Sequence, residues 1–172
     1  MTETTPYDAD RARFTRQALA RLVLCDHAVD VADGAAALVA TENDPDTGPG
    51  GRVSQAFQLI ELAERALISA VIYERERGSS WTEIAQYLGI GGIGPAEAEE
   101  CFASNLDGWN TAFEVPYRLD DTSRKRIPQL PTAAYDPAWA CDRLDTWAGN
   151  RITLVNDDRP VSSGLAMALS EE

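Results

Sequence analysis

Apolar residues recur every three or four positions along two long stretches of the chain. In the first stretch, from about Asp10 to Ala40, this spacing predicts one long amphipathic helix. Its apolar stripe consists of Ala18, Leu22, Cys25, Val29, Ala32, Ala36 and Val39. Glycine costs about 1 kcal/mol relative to alanine inside a helix, so the helix could kink or end early at Gly34.

The second stretch runs from about Val53 to Arg77, after a segment from Thr41 to Gly51 whose Asn, Asp, Pro and Gly residues predict a loop. Its apolar side chains lie on one side of the helix and are Val53, Phe57, Ile60, Leu67 and Val71, with Ala56, Leu59, Ala63, Ala66 and Ala70 beside them. Two such helices joined by a loop are typical of an antiparallel hairpin, because each must cover its apolar stripe.

Residues 79–106 have the pattern of two further helices joined by a turn. Ser80 and Glu83 form a capping box at the start of a short helix from Trp81 to Leu88. Glycine-rich residues follow, and a second helix is predicted from Ala96 to about Leu106. Two short helices around a glycine-bearing turn have the outline of a helix-turn-helix.

The sequence RERGSSWTEIAQYLGI, residues 75–90, resembles the second-helix signature of actinobacterial helix-turn-helix regulators and of the sigma-factor region-4 type. The resemblance implies DNA binding by the helix that follows, which in that family carries Ser, Arg, Gln or Lys toward the bases. Here the turn is lengthened by Gly91 to Gly94, and the next helix carries Glu97, Glu99 and Glu100. The family pattern is therefore kept in its core half and lost in its DNA-contacting half.

The charge of the chain strengthens this departure. With 15 Lys and Arg against 28 Asp and Glu, the formal net charge is −13, which excludes non-specific coating of nucleic acid or of an anionic membrane. No Lys or Arg lies between Arg77 and Arg118. We therefore predict that this helix contacts a protein partner with a basic surface, and that DNA binding is disfavoured. The expected partner-binding residues are Glu97, Glu99, Glu100 and Asp107.

Beyond Trp109 the helical periodicity weakens, and four prolines predict a loop up to Pro137. This loop contains the only concentration of positive charge, which consists of Arg118, Arg124, Lys125 and Arg126. The cluster either neutralises the acidic face of the protein itself, which we favour, or contacts an anion or nucleic acid. A last helix is predicted from Pro137 to about Ala148 and is expected to dock on the hairpin through its tryptophans.

The sequence lacks the motifs of the common catalytic and metal-binding sites. Its one histidine, His27, lies three residues before Asp30, but a zinc site needs more ligands than this pair supplies. Three widely spaced cysteines are expected to be reduced thiols within the helix packing. We therefore predict no catalytic residues, no metal and no cofactor.

Together these patterns predict an all-α protein, a long antiparallel helical hairpin with a helix-turn-helix-like pair and a C-terminal docking helix. One helical domain would span residues 1–151, with the helix-turn-helix-like part at 79–106, and residues 152–172 would form a short extended segment and a weakly ordered tail. The predicted function is that of a non-enzymatic regulatory or adaptor protein. The first alternative is a dimeric DNA-binding regulator that also uses arginines of the first helix. The second is a small enzyme with a carboxylate site.

No apolar segment is long enough to span a membrane, and the first residues are too polar for a signal peptide, so a cytoplasmic protein is expected. A homodimer is plausible, because helices of this length carry more apolar surface than a short helix pair can cover.

Overall fold

The computed structural model describes residues 5–42, 44–89, 92–151 and 157–168. In these ranges the chain forms seven α-helices and one two-stranded sheet, which confirms the all-α prediction. None of these helices combines the length and the apolar composition that crossing a membrane requires. The elements are α1 (Pro6–Ala12), α2 (Arg16–Val39), α3 (Gly51–Glu76), α4 (Trp81–Ala85), α5 (Pro95–Glu114), β1 (Tyr117–Leu119), β2 (Arg126–Pro128), α6 (Thr132–Tyr135) and α7 (Pro137–Arg151).

The prediction of a single first helix from Asp10 was wrong, because the chain breaks between α1 and α2. The Thr15 hydroxyl accepts a hydrogen bond from the backbone N–H of Ala18 at 3.1 Å and so caps the start of α2. Just before this cap, Phe14 pairs with Met167 in an isolated antiparallel bridge. The cap and this bridge redirect the backbone between α1 and α2, in a segment that contains neither proline nor glycine.

The predicted antiparallel hairpin of α2 and α3 is present. Contacts between Arg16 and Glu76 and between His27 and Ser69 fix its direction. The helix does not end at Gly34, where a Cβ would lie 2.9 Å from Cδ1 of Leu62 on α3. The glycine therefore allows α2 and α3 to approach each other closely, and it does not end α2.

The hydrophobic core lies at one end of the hairpin only. Its buried members include Leu19, Leu22, Val23 and Val29 of α2, Trp109 of α5, Ala133 and Tyr135 of α6, and Ala140 and Leu144 of α7. Among the described residues from Asp30 to Ile68, none is buried. The predicted α2 stripe is therefore wrong in its second half, since Ala36 and Val39 are exposed.

The predicted limits of the next two helices also need correction. The capping box of Ser80 and Glu83 is present, but α4 ends at Ala85 rather than Leu88. In contrast, α5 continues past Leu106 to Glu114, because the buried Trp109 and Ala112 extend its packed face.

The region predicted as a proline-rich loop is more ordered than expected. It contains the antiparallel pair β1 and β2, in which Leu119 lies opposite Arg126, and the short helix α6. The Asp120 carboxylate accepts hydrogen bonds from the backbone N–H groups of Arg124 and Lys125, at 2.9 and 3.0 Å, which closes the hairpin turn. The prolines of this region predicted a loop, and they did not indicate that Asp120 would close the turn of a β-hairpin.

Helix α7 packs on α2 as predicted, and the chain then folds back over it. Arg143 of α7 forms an ion pair with Asp26, and the Trp147 Nε1–H donates to Asp33 at 3.2 Å. The Asp145 carboxylate accepts hydrogen bonds from the backbone N–H groups of Val161 and Ser162. Residues 157–168, part of the predicted extended segment and tail, are held here, whereas residues 152–156, where the predicted extended segment begins, lie outside the described residues.

Candidate functional site

The outward side of α5 carries a concentration of carboxylates. This helix holds five acidic residues and no Lys or Arg, although it has 20 residues. We call its four predicted partner-binding residues the acidic face, and all four are exposed: Glu97, Glu99, Glu100 and Asp107. In the described part of the chain none of them forms an ion pair. Their negative charge is therefore available to an external cationic group.

Helix geometry spreads these carboxylates over a broad surface. Glu100 and Asp107 are separated by nearly two turns, which puts them on the same side and about 10 Å apart along the axis. Glu99 is turned by about 100° from Glu100, toward Ala103 and Asn110. A partner would therefore meet two carboxylates in line on one side of α5 and a third carboxylate, that of Glu99, at the edge of this line.

Glu99 and Asp107 border a cleft of about 490 Å³ between α5, the end of α3 and the start of α4. The cleft is largely polar, and its other walls include Arg16, Arg75, Trp81 and Asn110. The sequence predicted the acidic residues but not this cleft, because Arg16 and Trp81 lie far from α5 along the chain.

A hydrogen-bond network anchored on Glu76 fixes one wall of the cleft. The Glu76 Oε1 accepts from Nη2 of Arg16 at 2.7 Å and from Nε1 of Trp109 at 2.8 Å. The same Arg16 Nη2 donates to Oδ1 of Asn110 at 2.6 Å. The charge of Arg16 is therefore neutralised internally, so it does not neutralise Glu99 or Asp107.

The opposite wall is aromatic. The Arg75 guanidinium lies 4.9 Å from the centre of the Trp81 ring and donates to the carbonyl oxygen of Ser79 at 2.6 Å. This contact holds the first residue of α4 against the end of α3. The Trp81 ring is thus already in contact with a cation of the chain itself, and an incoming Arg or Lys side chain would be bound by the carboxylates at the border of the cleft, through charge-assisted hydrogen bonds.

A long segment joins the two helices of the helix-turn-helix-like pair. Residues 86–94 join α4 to α5, which is longer than the three or four residues, roughly, of a typical turn. Within this segment Ile90 and Gly91 lie outside the described residues. The first turn of α5, where a DNA-contacting helix would meet bases, contains Glu97.

The basic cluster lies on the β-hairpin. Arg126 bonds to Asp8 of α1 at 3.3 Å, and its guanidinium lies 4.0 Å from the Tyr117 ring centre. Arg118, Arg124 and Lys125 are exposed, and in the described part of the chain they form no ion pair. Arg126 therefore neutralises a carboxylate of its own chain, whereas among the described residues no ion pair joins Arg118, Arg124 or Lys125 to the acidic face.

His27 is engaged within the hairpin. Its Nδ1 lies 2.7 Å from Oγ of the buried Ser69, whose hydroxyl lies 3.0 Å from the carbonyl oxygen of Arg65. If the hydroxyl donates to this carbonyl, Nδ1–H of His27 is the donor to Ser69. Among the described residues no group of three or more His, Cys, Asp or Glu side chains could hold a metal ion.

Comparisons with protein-family models, with curated proteins and with solved structures found no match to this chain. The function therefore has to be inferred from the acidic face, the cleft beside it and the surfaces around them.

Proposed function

We propose that this chain is a non-enzymatic regulatory or adaptor protein whose acidic face binds the basic surface of a protein partner. The observation that carries the proposal is the set of exposed carboxylates on α5, none of which is paired in the described residues. We place the protein in the cytoplasm, where self-association would present two acidic faces at once.

Charge complementarity explains how such a face selects a partner. Opposite charges speed the encounter and disfavour partners of the wrong sign, and this effect weakens with salt because the groups are exposed. The cleft adds specificity, since Glu99 and Asp107 at its border can accept hydrogen bonds from an incoming Arg or Lys side chain. Proteins that bind nucleic acid present basic surfaces of this kind and are suitable partners.

A DNA-binding regulator is the second candidate, and the exposed Arg118, Arg124 and Lys125 favour it. Phosphate contacts from the β-hairpin would release counterions and support salt-sensitive binding. The carboxylates of α5 oppose this role in the element that the family resemblance implicates.

The test uses a nona-arginine peptide and isothermal titration calorimetry at low and physiological salt. We expect salt-sensitive binding to the wild type, weakened at least tenfold by Glu99→Lys combined with Asp107→Lys. The matched control is Asp121→Lys combined with Asp158→Lys, which changes the net charge equally at exposed carboxylates outside the acidic face. Equal weakening by both pairs would show that net charge alone attracts the peptide, and the proposed face would be wrong.

Fluorescence anisotropy with random duplex DNA distinguishes the adaptor function from the second candidate, a DNA-binding regulator. For an adaptor protein, we expect no binding of the duplex that persists in the presence of competitor. A salt-dependent signal that Arg118→Glu combined with Arg124→Glu abolishes would replace it with DNA binding.

A further inference from the structure

Helix α3 exposes a line of large apolar side chains along much of its length. Val53, Phe57, Ile60 and Leu67 are exposed to 75%, 61%, 55% and 46%. We call these four residues the α3 stripe, and their spacings of four, three and seven match the seam positions of a coiled coil. The stripe lies on the side of α3 opposite to Leu59 and Leu62, which pack toward Gly34 of α2.

The exposed apolar residues of the stripe form one continuous patch rather than scattered single side chains. The stripe exposes on the order of 400 Å², within the range of roughly 300–600 Å² for the largest patch on a typical monomer. The neighbouring Ala56 and Ala63 are also exposed and widen it. A groove between α3 and α4, with Val71, Ile84 and Tyr87 among its walls, continues the surface beyond Leu67. The groove adds to the area that an occupant of the stripe could cover.

The charge around the stripe indicates a second copy of the chain as the occupant. Between Gly51 and Ser69 the charged residues are Arg52, Glu61, Glu64 and Arg65, so this part of α3 is neutral in a chain of net charge −13. The acidic surfaces of two copies would repel each other, whereas two copies of this neutral part of α3 would not. A strongly basic partner, by contrast, would be drawn to the acidic face.

We propose that the α3 stripe is a homodimer interface in which α3 packs antiparallel to α3 of a second copy, with Ile60 at the two-fold axis. Positions 53 and 67 are each seven residues from position 60. This register therefore places Val53 of each subunit opposite Leu67 of the partner subunit. The beginning of the partner's α3 then reaches the groove beyond Leu67. The interface is thus self-complementary, as two-fold symmetry requires.

Glu64 is the only charged residue at a seam position between Ile60 and Leu67. A polar residue at such a position lowers the stability of a coiled coil and restricts its register. The dimer is therefore expected to dissociate at low concentration and to be strengthened by an apolar substitution here. This interface goes beyond the proposed function and is independent of it, because the acidic face is on α5.

Sedimentation equilibrium over a range of concentrations tests the interface. We expect the wild type to approach twice its mass of 18.7 kDa as concentration rises. Phe57→Glu combined with Ile60→Glu is expected to weaken dimerisation at least a hundredfold, with unchanged far-ultraviolet circular dichroism. The control is Gln58→Glu, an exposed position about 100° away from Phe57 on the same helix. A wild type that is monomeric throughout, or a dimer that tolerates both stripe substitutions, would overturn the proposal.

Two further variants test the register. Glu64→Leu is expected to tighten the dimer about tenfold, and an unchanged or weakened dimer would contradict the seam assignment. In a Cys101→Ser background, Ile60→Cys should form an intermolecular disulfide, and so should Val53→Cys combined with Leu67→Cys. Val53→Cys alone should not, and a disulfide from this single substitution would replace the antiparallel arrangement with a parallel one. Binding of nona-arginine should be unchanged in all these variants, which separates failure of the dimer from failure of the acidic face.

Discussion

Gly34 of α2 and Leu62 of α3 are in such close contact that a Cβ at position 34 would lie 2.9 Å from the Leu62 Cδ1. The approach occurs in the half of the hairpin where no described residue is buried. The missing side chain at position 34 therefore sets the distance between the two helices there.

We predict that Gly34→Val destabilises the protein by about 1–3 kcal/mol, because the added methyl groups overpack this contact. Gly34→Ala should change stability by less than about 1 kcal/mol, since better helix propensity offsets a shift of the Leu62 methyl. Gly108→Ala is the control, because nothing lies within 4 Å of its Cβ, and it should stabilise α5 by roughly 0.5–1 kcal/mol.

Urea denaturation measures these differences. A double variant with Leu62→Ala should recover part of the loss caused by Gly34→Val, because the two positions are in contact. Strictly additive effects would show that position 34 does not meet Leu62.

The contrast between the two faces of α3 shows what the sequence could predict. Periodicity predicted the hairpin and the residues that share a face, but Phe57 and Leu59 both belong to apolar repeats. Only the structure shows that Leu59 lies toward α2 while Phe57 is exposed. A repeat of apolar residues indicates that a surface will be covered, but it does not identify what covers it.

Glu76 is predicted to be a main stabilising residue of the cleft wall. Glu76→Ala removes the acceptor of the Trp109 indole N–H and of Arg16, and should cost roughly 2–4 kcal/mol, because a buried donor loses its partner. The matched variant Glu99→Ala should change stability by less than about 0.5 kcal/mol. Chemical denaturation followed by circular dichroism compares them, and equal losses would show that the network is not stabilising.

The three thiols should differ sharply in reactivity. Burial raises the pKa of Cys141 to about 11, with a further contribution from Asp145, and burial also raises the pKa of Cys25. Because the thiolate is the reactive form, these two should react slowly at pH 8, whereas the exposed Cys101 should react first.

Titration with a chromogenic disulfide reagent should therefore detect one fast thiol in the native protein and three in urea. Cys101→Ser should remove the fast reaction. A fast reaction that survives this substitution would contradict the burial of Cys25 and Cys141.

The acid sensitivity of α1 should depend on Asp8. The Thr5 hydroxyl and backbone N–H, followed by Arg11, hold the pKa of Asp8 well below its ordinary range. A lowered folded-state pKa adds stability above about pH 4, and this stability is lost as the pH falls toward the folded-state value. Asp8→Asn should therefore lower Tm at pH 7, and its difference from the wild type should shrink steadily as the pH falls from about 4 toward 2.

Thermal unfolding from pH 7 to pH 2 measures this difference, which we expect to be below about 1 kcal/mol because the group is partly exposed. Asp10→Asn is the control, since its contact with Arg13 is long, at 3.8 Å. A constant difference between Asp8→Asn and the wild type at all pH values would contradict the assignment.

The sequence predicted the carboxylates of the candidate site but not the residues of the cleft beside them. Local composition identified the carboxylates of α5, because they are close in sequence and no cation lies among them. Pairing of Arg16 with Glu76 and the position of Trp81 depend on how α2, α3 and α4 meet, which no local pattern encodes.

The one-sided core has a consequence for the motions of the hairpin. Residues beyond Val29 on α2 and before Ser69 on α3 are held mainly by each other, so this half should open in a local unfolding event that costs less than global unfolding. Amide hydrogens of the α3 stripe would then exchange faster than those around Leu22. Dimerisation through the stripe would slow that exchange, so that assembly and the ordering of the hairpin would occur together.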